Sequence, residues 1–222
     1  LTDEDSLLAC PKHFVAYGAA MGGMDYNTVE MSEQTLHEVY LPPFKAAFDA
    51  GALSTMSSFN DINGVPMSAN RELMTGLLRE QWKFRGMVVS DYTADMELVK
   101  HGVARDDREA TRLAILAGVD ISMQSDLYNL YLPDLVASGD LPMAVVDESV
   151  RRVLRTKYLL GLFDNPYRSM NPEVEKQNTM TSQLRAIARE SARASIVLLK
   201  NEGNLLPLPK SGKKIALIGP FG

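Results

Sequence analysis

The sequence has a single cysteine, Cys10, so no disulfide forms within the chain and the fold must rest on burial and hydrogen bonding. It has no long apolar run. Ile196-Val-Leu-Leu199 is typical, and a membrane-spanning helix needs about 20 such residues, so no membrane insertion is expected. Basic residues are not in excess: 23 Lys and Arg stand against 28 Asp and Glu. The resulting net charge of −5 leaves nucleic acid without an electrostatic footprint. Neither HExxH nor CxxC occurs, so no metal site is expected. Gly22-Gly23 is not followed by a dinucleotide or phosphate-loop pattern, so no nucleotide cofactor is expected either. His37 and His101 lack acidic or cysteine partners at ligand spacing and read as surface or packing histidines.

What is present is globular. Of 222 residues, 45% are hydrophobic and 23% charged, enough for one large domain or one and a half ordinary ones. The 12 methionines are scattered and read as core filling.

Strands and helices alternate. Leu53–Ser58 reads as a strand leading into a loop at Gly64–Pro66, and Glu72–Gln81 as a helix with Leu73, Leu77 and Leu78 on one face and Asn70 as its N-cap. Gly86–Ser90 fits a strand buried on both faces. Asp107–Ala117 is helical and closed by Gly118, and Val119–Met123 is another short strand. Helices follow near 129–138 and 143–160. Upstream, Leu7–His13 reads as a strand, followed by a Gly-rich loop and a helix over 33–50 that Pro42-Pro43 interrupts or restarts. No hairpin signal is read, so the pattern predicts parallel α/β structure. Near Gly161 the composition shifts to the Asn-, Pro- and Ser-rich Phe163–Pro172, a linker. An amphipathic helix over 182–198 and a terminal strand over 214–219 complete the reading. Because the chain stops straight after that strand, we expect it to be a piece of a longer protein.

In parallel α/β folds functional residues collect at the carboxyl ends of strands. Lys12-His13, Met56-Ser57, Ser90-Asp91 and Ser122-Met123 hold that position. A carboxylate ending an apolar strand is costly to desolvate unless something uses it, which makes Asp91 the sharpest candidate. The simpler alternative is an N-cap for the next helix. Asp120 lies inside its strand, where it would bond backbone or an arginine. Lys12 and His13 would suit the gripping of vicinal hydroxyls.

Several of these segments carry a resemblance. Lys12-His-Phe-Val-Ala-Tyr-Gly18, Met56-Ser-Ser-Phe-Asn-Asp-Ile-Asn-Gly-Val-Pro66, Leu78-Arg-Glu-Gln-Trp-Lys-Phe-Arg-Gly86, Val88-Val-Ser-Asp91, Gly118-Val-Asp120 and Ala192–Leu208 occur together in this order. The set resembles glycoside hydrolase family 3, particularly its periplasmic bacterial β-glucosidases, over essentially the whole chain. The resemblance implies an α/β fold: the C-terminal half of a (β/α)8 TIM-type barrel (1–163), a linker (164–181), and the truncated start of an α/β sandwich domain (182–222). It implies a retaining exo-β-glycosidase, with Asp91 as nucleophile and Lys12, His13, Met56 and Tyr92 around the terminal glucose. The implied partners are β-glucosides or short β-linked oligosaccharides, and the implied location is periplasmic or secreted. Two departures stand out: Phe59 where many members have Tyr, and Tyr92 where Trp is frequent. The acid/base of this branch is a glutamate expected beyond residue 222, and the loop 16–27 lacks the histidine that another branch uses. The chain alone is therefore expected to be inactive or nearly so, and oligomeric or in need of the missing segments.

Two other readings compete. A carbohydrate-binding or scaffolding piece without turnover would keep the pocket but not the reaction, and β-xylosides are neighbouring substrates within the family. An unrelated barrel enzyme would need a Schiff-base lysine or a late Gly-rich phosphate loop; Lys12 is the only strand-end lysine and the late loop is absent.

Overall fold

In the computed structural model, residues 7–216, 218 and 219 are described. The chain divides into two compact units, Leu1–Ser169 and Met170–Gly222.

The first unit is built on parallel segments laid side by side in chain order. Strand β1 (Ser54–Met56) pairs in parallel with β4 (Met87–Val89), with Thr55 opposite Val88. Phe14 bridges in parallel to Ser57 on one side, and Ile121 bridges in parallel to Val89 on the other. The Leu7–His13 segment forms no ladder of its own. Pro11 has no N–H to give, and β1 holds this segment through hydroxyls instead: Ser54 donates to the Ala9 carbonyl and Thr55 to that of Pro11, at 3.1 and 2.7 Å. The Val119–Met123 strand likewise shortens to a bridge, with the Asp120 amide donating to the Val88 carbonyl and the Ser90 amide to that of Ile121.

One expectation is corrected. A hairpin does exist, between β2 (Asp61–Ile62) and β3 (Val65–Pro66), antiparallel with Ile62 opposite Val65. Its turn is Asn63-Gly64, both at positive φ (51° and 85°), the pairing that a two-residue hairpin turn selects.

Helices link the parallel segments. Glu33–Thr35 (α1), capped by the Ser32 hydroxyl, passes through a π-helical turn into α2 (Leu41–Asp49), where Pro42 and Pro43 occupy the first turn. Proline has no N–H to donate to the preceding turn, and the π-helical turn Leu36–Tyr40 lies just before the pair. The helical segment Glu72–Gln81 has π geometry, and Asn70 accepts from the Leu73 amide at its start. After α3 (Glu97–Lys100) comes α4 (Asp107–Ala117), whose cap Asp106 accepts from the Glu109 amide at 2.8 Å. Gly118 ends α4 at φ 113°. Helices α5 (Leu127–Ala137) and α6 (Met143–Leu159) complete the unit.

Phe14, Val29, Leu41, Met74, Leu78, Val88 and Val119 form one core between sheet and helices, all essentially inaccessible to water. Each contributes about 1.5–3 kcal/mol by burial. A smaller cluster of Ile115, Leu135 and Leu141 sits under α4 and α5.

In the second unit, α7 (Pro172–Asn178) is capped by Asn171 and α8 (Ser182–Ser195) by Thr181. Leu184 and Ile187 on α8 are half exposed, so the inner face expected from the sequence is not covered here. The described residues of 214–219 form no strand, and Ile215 and Ile218 face solvent, because a strand needs a neighbour to pair with; Leu217 lies outside the described residues.

Candidate active site

Asp91 follows β4 directly, at the carboxyl end of the parallel sheet. Its Oδ1 accepts from the Tyr92 amide at 2.7 Å, and its Oδ2 lies 3.2 Å from Nε2 of His13. The carboxylate is mostly buried, 13% exposed, which leaves one side open to a ligand. The N-cap alternative fails: α3 begins only at Glu97, and the Asp91 carbonyl instead closes a turn with the Ala94 amide.

Neighbouring strand ends hold this turn in place. Ser90 Oγ accepts from the Met123 amide at 2.8 Å, and the Thr93 amide donates to the Met123 carbonyl. Fully buried Asp95 accepts from Ser122 Oγ at 2.6 Å and from Ser125 Oγ at 3.0 Å. Ala16, Tyr26, Thr93, Gln124 and Asp126, all non-glycine residues at positive φ, lie in the loops after the strands. Such strain persists where surrounding contacts over-determine the backbone, and it gathers at functional sites.

The other candidates occupy distinct environments. His13 is partly buried against Asp91, and burial pulls its pKa below 6.5; Asp91 opposes that shift and Lys12 reinforces it. Lys12 is exposed, and among the described residues His13, not Lys12, is the side chain touching Asp91. Met56 is half-buried at the end of β1, its carbonyl accepting from the Phe14 amide at 2.7 Å. Tyr92 is exposed. Asp120 bonds both backbone and arginine: it accepts from Arg79 at 2.7 Å, Arg152 at 2.8 Å and the Val88 amide at 2.8 Å. It is a buried clamp inside the fold.

Sequence reasoning missed an aromatic and acidic rim. His13 packs edge-on to Tyr17 at 4.9 Å, Tyr17 lies 6.0 Å from Phe59, and Phe59 lies 4.7 Å from Tyr26. Burial raises the Tyr17 phenol, and the adjacent Asp25 carboxylate adds to the shift. Glu97 is likewise raised by burial, with Asp91 contributing. The signal in the sequence was the loop 16–27, where glycines and two tyrosines follow a strand end. Among the described residues no group of three or more His, Cys, Asp and Glu is placed to hold a metal ion.

The described residues thus gather a strand-end carboxylate with an imidazole and aromatic neighbours. Residues 2–156 match the model of the glycosyl hydrolase family 3 N-terminal domain. The chain belongs to glycosyl hydrolase family 3. Within it, the chain is 46% identical over 222 residues to a periplasmic β-glucosidase of Salmonella typhimurium, covering 99% of this chain and 29% of that protein. It is 45% identical to a putative β-xylosidase of Formosa agariphila, covering 96% and 28%. Among solved structures, a β-glucosidase from Listeria innocua in complex with glucose superposes with TM-score 0.81 at 39% identity, covering 96% of this chain and 30% of that one. A D270A mutant of that enzyme with laminaribiose gives 0.82 at 40%, covering 96% and 29%. The family 3 chain described here thus spans about 30% of the length of these relatives. Its parallel sheet with intervening helices is the TIM-barrel-type α/β fold of the family's N-terminal domain.

Proposed function

We propose that the protein acts as a retaining exo-β-glycosidase, releasing terminal non-reducing β-D-glucosyl residues through a covalent glycosyl ester on Asp91. The observation that carries this reading is the position of Asp91: a mostly buried, outward-opening carboxylate at the end of β4, with His13 at 3.2 Å.

In the first step an Asp91 oxygen bonds to the anomeric carbon as the glycosidic C–O bond breaks, and the leaving oxygen takes a proton from a general acid. In the second, water attacks the same carbon, gives its proton to the conjugate base, and the ester to Asp91 breaks. A retaining pair has its carboxyls about 5–5.5 Å apart. We assign the acid/base to no residue of this chain, so the chain alone is proposed to bind without efficient turnover. Lys12 and His13 would hydrogen-bond the sugar hydroxyls, Met56 would line the pocket, and Tyr92 would offer an aromatic face. The linker and sandwich assignments of 164–181 and 182–222, and a periplasmic or secreted location, belong to the same proposal. Xylosides are the second substrate class, favoured by the 45% identity to a putative β-xylosidase.

The test is the anomer released first. Proton NMR of the full-length protein acting on an aryl β-glucoside should show β-glucose before mutarotation. Initial α-glucose would mean inversion and exclude an ester on Asp91.

A further inference from the structure

Strand β1 and the residues after it carry hydroxyls where the neighbouring strand does not. Ser54, Thr55, Ser57 and Ser58 are all buried, whereas β4, paired with β1 in parallel, is Met87-Val-Val89. A buried hydroxyl is costly unless it is hydrogen-bonded. Three of these four reach the segment that carries His13. Ser54 Oγ donates to the Ala9 carbonyl at 3.1 Å, Thr55 Oγ1 to that of Pro11 at 2.7 Å, and Ser58 Oγ to that of Val15 at 3.2 Å. Ser57 Oγ pairs with Ser68 Oγ at 3.0 Å.

We propose that Thr55 and Ser58 are positioning residues for the reaction: their hydroxyls grip the chain on either side of Lys12-His13 and fix where His13 meets Asp91. This inference rests on the glycosidase reading above and deepens it.

The backbone alone does not hold His13 from its N-terminal side. Among the described residues no backbone–backbone hydrogen bond involves 7–13; the first runs from the Phe14 amide to the Met56 carbonyl at 2.7 Å. Hydroxyls take the place of a ladder there. On the C-terminal side the Ser58 amide donates to the Phe14 carbonyl at 2.9 Å, and the Val15 carbonyl accepts from Asn60 Nδ2 at 3.4 Å as well as from Ser58. Ala16 then turns the chain at φ 63°.

The strand that grips His13 also carries the register of Asp91. The peptide unit joining Met56 to Ser57 takes the Phe14 amide on its carbonyl, and its N–H donates to the Val89 carbonyl at 2.9 Å. Phe14 follows His13, and Val89 lies two residues before Asp91. Slippage of 9–15 along β1 therefore moves His13 Nε2 directly against Asp91 Oδ2, now 3.2 Å away. A misplacement of about 1 Å in such a site can cost about 100-fold in rate.

The test uses the full-length protein and an aryl β-glucoside. Thr55→Val and Ser58→Ala remove the hydroxyls with little change in volume, and kcat/KM should fall by about tenfold in each. Thr55→Ser keeps the hydroxyl and should recover most of the loss. In a His13→Ala background, Thr55→Val and Ser58→Ala should each change kcat/KM by less than about twofold, because the residue they position is gone. Equal losses in both backgrounds, or no loss with His13 present, would overturn the proposal. Imidazole NMR gives a readout free of turnover. Asp91 raises the His13 pKa, so Asp91→Asn should lower it. In a protein that also carries Thr55→Val and Ser58→Ala, that drop should shrink by half or more. An undiminished drop would overturn the assignment. If the wild type does not turn over the glucoside, the glycosidase reading fails, and the NMR comparison still decides whether the two hydroxyls set the contact.

Discussion

His13 Nε2 lies 3.2 Å from Asp91 Oδ2, and this contact is one between a carboxylate and a neutral imidazole near pH 7. Burial is the largest influence on His13 and lowers its pKa below 6.5; the Asp91 charge raises it and the Lys12 charge lowers it. Asp91→Asn should therefore lower the His13 pKa further, and Lys12→Ala should raise it, both read from imidazole NMR titrations. The linkage sign follows. Between the folded pKa and 6.5 the unfolded chain binds more protons, so the stability His13 contributes is complete above 6.5 and is lost as pH falls through the folded value.

Asp120 is held between two guanidinium groups in the interior, and Arg79 Nε beside it is buried without a hydrogen-bond partner. Asp120→Ala should cost about 3–5 kcal/mol, because two arginines and the Val88 amide lose their acceptor. Adding Arg79→Met should recover part of that loss. Urea unfolding of both variants checks it.

Asp95 joins the turn after Asp91 to the Ser122–Ser125 loop through two hydroxyls. Asp95→Ala leaves those hydroxyls in search of partners and should destabilise by about 1–3 kcal/mol. Hydrogen exchange should quicken at Thr93 and Met123 before it does at Val88, because the amides of the first two lie in the joined loops.

Gly86 immediately precedes β4 and lies close against Leu53 and Phe84. A Cβ there would meet the Leu53 carbonyl oxygen at 2.3 Å and Phe84 Cζ at 2.5 Å. Gly86→Ala should separate β1 from β4 and cost about 3 kcal/mol or more. Gly118→Ala strains a backbone at φ 113° and sets its Cβ 3.1 Å from Thr75 Oγ1, a side-chain atom that can give way, and should cost about 1–3 kcal/mol. Thermal unfolding of the pair ranks them.

The helices were legible because their signals are local. Asp106 and Gly118 bracket α4 at the positions where a cap and a left-handed stop are expected. The strand over Gly86–Ser90 announced itself through β-branched residues with no polar alternation. The Asn63-Gly64 hairpin was equally local but lay inside a segment read as one loop. Leu7–His13 and the 214–219 segment were harder, since a strand is defined by its neighbour and the sequence does not name one. Asp91 stood out because a charge at the end of an apolar strand is anomalous within a few residues. Tyr17 and Tyr26 did not, because only the fold packs them with His13 and Phe59 into one row of rings.

In the proposed reaction Asp91 forms the glycosyl ester. The direct measurement is labelling of the full-length protein with a 2-deoxy-2-fluoro β-glucosyl inhibitor, followed by peptide mass mapping. One adduct is expected, on the peptide containing Val88–Tyr92, and it should be lost in Asp91→Asn. An adduct on another carboxylate, such as Asp25 or Glu97, or time-dependent inactivation that survives Asp91→Asn, would contradict it.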